Sequence, residues 1–451
     1  MSRANPRLVA YELLKAVSVD DVYANLELPK LIRQAGLDRR DAGFVTELSM
    51  GVLRWQALLD GVIVNCADRP IEKIDPPLRD VLRIGVYQIL FMRVADHAAV
   101  NTSVDLAAEI GMRSAKGFVN AILRKALQKS VEQWQTSLAR EIPAEADALA
   151  IQWSHPRWQV AALRDALGSA KSELSELLRV NNTAPKVTLV NRSGDREMPL
   201  SKLRAGKWSP YAYVVDSALE DVAELETGLA GIQDEGSQLV VLTWLNAKVE
   251  GSDSNWLDLC AGPGGKTALM AALADQANVT AVELQHHRAE LVRANVAMQN
   301  NVNVIEADAT SPDFADGRFD RVLIDAPCTG LGVLRRRAES RWRRTPKDVG
   351  VLSNLQLRIL ENATRAVRVG GVIGYATCSP HLAETEFVVE DMLKAHPELK
   401  LLDARELAVT IPNLRNPQEF AEQTAAGPYL RLWPHRHETD GMFLALFRKT
   451  A

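Results

Sequence analysis

From Trp256 onward the chain alternates short β-rich runs with helical stretches, and no other feature constrains its fold as tightly. The runs are NWLDLCA, VTAVEL, VNVIEAD, FDRVLIDAP and GVIGYATCS. Strands separated by helices predict a parallel sheet covered on both faces. A last apolar run, GMFLALFRK, predicts one more strand, a candidate to return antiparallel.

Residues 1 to about 130 carry a different pattern. Val9, Leu13, Leu14 and Val17 recur at helical spacing, and Phe44, Leu48, Val52 and Trp55 form a second stripe. LRDVLRIGVYQILFM, SVDLAAEIG and AKGFVNAILRKAL add further helices, with breaks at Gly36, at Asp75-Pro76-Pro77 and at Gly111. An all-α bundle is expected there. Its first residues read as the start of an amphipathic helix rather than a signal peptide. Residues 131–235 read as a mixed connector, with a helix in SHPRWQVAALRDALG and short strands in PKVTLVNR and YAYVV. The expected division is therefore 1–130, 131–235 and 236–451, since 451 residues exceed what one core usually organises.

Composition narrows the class. Hydrophobic residues make up 47% and charged residues 24%, without an apolar run long enough to span a bilayer, so a membrane protein is not expected. Four cysteines (Cys66, Cys260, Cys328 and Cys378) are too few for a disulfide framework and lack metal-ligand spacing, so no metal is expected. A reduced, cytoplasmic protein follows. The net charge of −4 argues weakly against a nucleic-acid binder, yet residues 335–347, RRRAESRWRRTPK, hold seven basic residues.

The segment LDLCAGPGGKT follows a predicted strand and opens a helix. Its glycines suit close backbone approach to a ligand, but the spacing matches neither a dinucleotide nor a phosphate loop. Acids follow at successive strand ends. Glu283 is placed for ribose hydroxyls, Asp308 for an adenine amino group, and Asp325 ends the fourth strand. One such acid is commonly a helix cap. A series along one sheet edge instead points to an adenosine-containing cofactor without bound phosphates, which is S-adenosylmethionine.

Two cysteines sit at the ends of neighbouring strands, in DAPCTG (Cys328) and TCSP (Cys378). Cys66 and Cys260 read as inert packing residues. Carbon 5 of cytosine is too poor a nucleophile to take a methyl group unaided. A thiolate adding to carbon 6 makes the ring an enamine, which divides one hard step into easier ones. The thiol needs activation from its usual pKa of about 8.5. Asp325 is placed to hold the ring's nitrogen edge. Chemistry alone leaves open which cysteine attacks.

Together these segments resemble the RNA 5-methylcytosine methyltransferase family, in the bacterial small-subunit ribosomal RNA methyltransferase B branch. GIQDEGSQ before the domain and DGMF near the end share the resemblance. Leu37-Asp38-Arg39, Asp41, Phe44, Gly51-Val52, Ile74-Asp75, Leu82-Arg83, Val86-Tyr87 and Phe118-Val119-Asn120 are similar to the RNA-binding NusB bundle. The resemblance implies a Rossmann-like methyltransferase domain (236–451) behind a NusB-like helical domain (1–130) and a small connector for RNA recognition (131–235). It implies Cys378 as nucleophile, as in RNA enzymes with a TC dipeptide, and Cys328 as its aid in proton removal or product release. The position after proline used by DNA enzymes would point to Cys328 instead. It implies cofactor contacts from Cys260, Ala261, Gly262, Pro263, Gly264, Gly265, Lys266, Glu283, Asp308 and Asp325, with Arg288 as a helper. Gly262 stands where that family generally has Ala, and Glu283 where it has Asp. The implied partner is small-subunit ribosomal RNA or an assembly intermediate, met by a monomer. The basic run from Arg335, with Trp342, and the loop Pro434-His435-Arg436-His437 become candidates for RNA contact. The alternatives are a transfer-RNA cytosine methyltransferase and a non-catalytic RNA-binding assembly factor with a vestigial methyltransferase fold.

Overall fold

The computed structural model describes residues 5–140, 142–193, 203–215, 222–274, 276–314 and 316–451. They form two compact units: residues up to 183 with 334–344, and residues 184–333 with 345–451.

The first unit is helical, as the apolar spacing predicts. Helices Pro6–Val19, Ala24–Gln34, Arg39–Ala67, Pro76–Phe91, Asp96–Glu109 and Lys116–Ala126 break at the expected points. Val9, Leu13, Leu14, Leu48 and Val52 enter one core, while Val17, Phe44 and Trp55 pack half-buried against it. Trp55 stacks on Phe91 with ring centroids 4.7 Å apart. The expected connector is not a unit of its own. Its helices Val131–Arg140, Glu145–Gln152, Arg157–Leu167 and Leu174–Val180 join the bundle, and its strands join the other unit. Trp134 explains the join, since it is buried in the bundle core and its indole N–H donates to Ala126 O at 3.0 Å.

The basic run departs from expectation in the same way. Residues 334–344 are part of the helical unit, and Arg335 and Arg341 are buried. Arg341 Nη1 donates to Arg54 O at 2.7 Å, Ser154 O at 2.8 Å and Asn182 Oδ1 at 2.7 Å. Burial, then the neighbouring Arg54, lowers its pKa to about 9, so the guanidinium stays charged at neutral pH. Trp342 donates its indole N–H to Leu53 O at 2.7 Å, and Arg343 pairs with Asp21 at 3.1 Å. These side chains bind protein, not phosphate; Arg337 and Lys347 are the basic members of the run that remain exposed. Arg341→Ala removes the donor to four acceptors, these three and Asn181 O at 3.3 Å, and a buried acceptor left unsatisfied costs about 1–3 kcal/mol. The helical unit is expected to lose about 3 kcal/mol or more, read from its denaturant midpoint or amide exchange.

In the second unit, β1 (Val187–Asn191), β2 (Arg204–Ala205), β3 (Ala212–Val215) and β4 (Ala230–Ile232) form a small antiparallel sheet in the order β2-β3-β1-β4. Residues 194–202 and 216–221 of the expected connector lie outside the described ones. The main sheet contains β5 (Asn255–Asp258), β6 (Asn278–Glu283), β7 (Val302–Glu306), β8 (Phe319–Asp325), β9 (Val367–Thr377), β10 (Leu399–Leu402), β11 (Leu430–Leu432) and β12 (Met442–Lys449). Its order is β10-β12-β9-β8-β5-β6-β7, with β11 paired to β12. Strands β5 to β9 run parallel, and β12 returns antiparallel against β9. The apolar runs answer to this, since FDRVLID is buried at six consecutive positions, as a strand covered on both faces must be.

Chain order sets the ligand position. The chain runs outward from β5 through β6 to β7, then crosses back to lay β8 on the other side of β5. Loops leaving β5 and β8 diverge there, and ligands of open α/β sheets bind at that switch point. Among the described residues, no helix is long and apolar enough to cross a membrane.

Candidate active site

The loop after β5 turns directly into the helix Gly265–Leu273. Asp258, the last residue of β5, accepts from Thr267 Oγ1 at 2.7 Å and so ties the helix to the strand. Burial pushes its pKa up to about 7. Gly264 has φ of +104°, and a Cβ there would lie 2.9 Å from Val292 Cα, so only glycine lets the loop pass this close to the next helix.

Glu283 ends β6 and is buried. Its Oε2 accepts from Gly262 N and its Oε1 from Gln285 N, both at 3.0 Å. Arg288 donates to Gly262 O and stands 3.7 Å from Glu283 Oε2. A Cβ on Gly262 would fall 2.2 Å from Glu283 Oε2. The two departures noted in the sequence are therefore one: the longer acid occupies the space an alanine methyl would need.

Asp308 lies two residues beyond β7, because the strand ends at Glu306. Its Oδ1 accepts from the backbone N–H and the hydroxyl of Thr310, both at 2.8 Å, which keeps this exposed carboxyl below the usual range. Asp325 ends β8 and takes a 2.7 Å ion pair from Lys266 Nζ. Burial opposes the Lys266 ammonium, but Asp325 and then Cys378 hold its pKa above the ordinary lysine value.

Cys328 follows β8 and Cys378 follows β9, and their sulfurs are 3.3 Å apart. The register that produces this pairs Asp325 with Ala376, and Gly332 N donates to Cys378 O at 2.9 Å. The contact with Cys378, followed by burial, pushes the Cys328 thiol well above its usual range. Cys260 is also pushed well up, by burial and then by Asp258, Asp325 and Glu283, so it sits under the loop as a neutral thiol. Cys66 is buried in the bundle core.

Two quoted segments meet through Asp234, whose Oδ1 accepts from Gly236 N at 2.8 Å and from Asp440 N at 2.9 Å. This links GIQDEGSQ to DGMF beneath the site. The expected Pro434 loop is instead a short helix, Pro434–His437, and His437 is fully buried. Its ring accepts from Trp433 N at 2.9 Å, and its carbonyl takes the Trp208 indole N–H at 2.7 Å. His437 is a packing residue. Sequence reasoning missed the staple from Thr267 to Asp258 and a buried acid, Glu384, behind the cysteines. A hydroxyl in a helix and an acid six residues past Cys378 carry no period or motif that would single them out.

A doubly wound sheet with a glycine loop at its switch point and acids along the same edge belongs to the S-adenosylmethionine-dependent methyltransferases. The profile of the 16S rRNA methyltransferase RsmB/F family matches residues 242–448, and that of the NusB family matches residues 4–128. A putative methyltransferase of Mycobacterium tuberculosis is 45% identical over 98% of this chain and 96% of its own. A probable ribosomal RNA small subunit methyltransferase B of Bacillus subtilis is 30% identical with both chains fully covered. The crystal structure of PH0851 shares the fold at 22% identity, with a TM-score of 0.77 over 99% of each chain. The chain belongs to the RsmB/F family of 16S rRNA methyltransferases, with an N-terminal NusB domain, and S-adenosylmethionine is its methyl donor.

Proposed function

We propose that this protein methylates carbon 5 of a cytosine in small-subunit ribosomal RNA through a transient bond from Cys378. The observation that carries the proposal is the sulfur pair, 3.3 Å apart at the ends of adjacent strands, in the same unit as the Lys266–Asp325 ion pair.

The donor set fits the cofactor. Glu283, Asp308 and Asp325 offer acceptors to ribose hydroxyls and an adenine amino group, and their charges would repel a phosphate. The backbone of Cys260, Ala261, Gly262, Pro263, Gly264 and Gly265 forms the loop that admits it, and Arg288 fixes Gly262. Bound there, S-adenosylmethionine supplies a methyl group carried on a sulfonium.

The protein's own groups do the rest. Cys328, with its raised pKa, keeps its proton and hydrogen-bonds to Cys378 Sγ, so negative charge falls on Cys378 beside the Lys266 ammonium. That thiolate adds to carbon 6. Asp325 accepts from the cytosine amino group, and Lys266 offers a proton to the ring edge where charge collects. After methylation, the Lys266 amine, having given its proton to the ring, takes the Cys328 proton. The Cys328 thiolate then removes the carbon 5 proton, the bond to Cys378 breaks to return its thiolate, and the ring nitrogen releases its borrowed proton to solvent. A target base must be turned out of its stack to reach these atoms. The NusB-like unit and the strands of residues 184–235 are the parts we assign to RNA binding. From a ribosomal RNA substrate we infer a cytoplasmic protein.

Two outcomes test this. Labelled cofactor and unmodified small-subunit RNA should yield 5-methylcytidine and no other labelled nucleoside; label on another atom or base contradicts the proposal. Gly262→Ala should weaken cofactor binding about tenfold or more by calorimetry, as overpacking typically costs 1–3 kcal/mol. Glu283→Asp in the same chain should restore most of it, because the shorter acid vacates the methyl's space.

A further inference from the structure

One buried carboxylate touches both cysteine loops. Glu384 ends the short turn Leu382–Glu384 after β9 and is fully buried. Its Oε1 accepts from the Thr329 backbone N–H at 2.7 Å. Its Oε2 accepts from Thr329 Oγ1 at 2.5 Å and from Ser379 Oγ at 2.6 Å. Thr329 directly follows Cys328, and Ser379 directly follows Cys378. The Tyr375 hydroxyl, also buried, donates to Glu384 O at 2.7 Å and fixes the acid from behind. On the far side of Cys328, Gln356 Nε2 donates to Pro327 O at 2.8 Å.

Burying a carboxylate is expensive unless several donors meet it. Here three do, from two loops, and each hydroxyl spends its single proton on the same group. An apolar residue could fill the space but could not bind both loops at once. We infer that Glu384 is a positioning residue for methyl transfer, a brace that holds the Cys328 and Cys378 loops at sulfur-contact distance. Its hydrogen bonds reach the two loops through Thr329 and Ser379, and its charge also bears on the Cys328 thiol, which it pushes up. This inference rests on the roles proposed above for the two thiols.

The test reads sulfur spacing apart from catalysis. Diamide takes up two electrons and two protons as two S–H bonds break and one S–S bond forms, so its rate of linking Cys328 to Cys378 reports how well the loops are held. Wild type should link readily, and Glu384→Ala about tenfold more slowly or worse. Its kcat should fall about 100-fold with KM nearly unchanged, the effect of a misplacement near 1 Å. Glu384→Gln should recover most of both, since its amide oxygen can take the Thr329 N–H while its NH2 meets the hydroxyls. If Glu384→Ala does not fold, Thr329→Val and Ser379→Ala each cut one strut and should each slow linkage. A wild type that forms no disulfide overturns the inference, as does linkage at equal rates in wild type and variants. A fall in kcat with unchanged linkage overturns it too. Should wild type form no bond with cytosine, the proposed function fails while the linkage rates still judge the brace.

Discussion

Cys378→Ala is expected to lower methylation by about four orders of magnitude or more, the scale seen when a covalent nucleophile is removed. Without the sulfur, carbon 5 keeps the low nucleophilicity of an aromatic pyrimidine, and no neighbouring group can supply the missing bond. Cys328 cannot substitute, because burial favours its protonated form even without Cys378. Cofactor affinity should stay within a few-fold of wild type, since the cofactor loop and its acids lie on other strands. Quenched single-turnover assays with labelled cofactor measure the first quantity, and calorimetry measures the second. A residual rate within tenfold of wild type would contradict the assignment.

Cys328→Ala should fail differently. The attack and the methyl transfer remain possible, but the group proposed to help remove the carbon 5 proton is gone. The protein–RNA bond then has no ready exit, and a complex that survives denaturation should accumulate toward one RNA per protein. Turnover should fall to near background over the same period. Denaturing electrophoresis with end-labelled RNA reads both. Free turnover without any retained complex would mean that another group removes the proton.

Much of this site is legible in the sequence because it lies where strands end. Period-two and continuous apolar runs locate β5, β6, β8 and β9, and whatever follows them must emerge at one sheet edge. Cys328, Cys378, Asp325, Glu283 and the glycine loop all follow from that rule. Asp308 was less well placed, since β7 stops at Glu306, where His286 and Arg293 engage the last acid.

What the sequence hides is pairing between distant segments. Residues 335–347 have the composition of a solvated basic face, yet Arg341 finds carbonyls 159 to 287 positions away. No local pattern encodes that, and a guanidinium bonded to protein oxygens looks no different in sequence from one awaiting phosphate. Glu384 is hidden for the same reason: its worth lies in two hydroxyls, one of them 55 positions upstream. The helices of residues 131–180 read as connector because their length and charge suit one; the burial of Trp134 and distant contacts such as Ala57 N donating to Ser154 Oγ at 2.9 Å attach them to the bundle.

The proposed bond from Cys378 to carbon 6 can be tested for directly. Small-subunit RNA transcribed with 5-fluorocytidine gives an adduct that cannot collapse, because fluorine does not leave carbon 5 as a cation. Wild-type protein should then be trapped, and mass spectrometry of the protease and nuclease digest should find the methylated fluoronucleotide on the peptide containing Cys378. A nucleotide attached to Cys328 instead, or no covalent complex in the presence of cofactor, would contradict the mechanism.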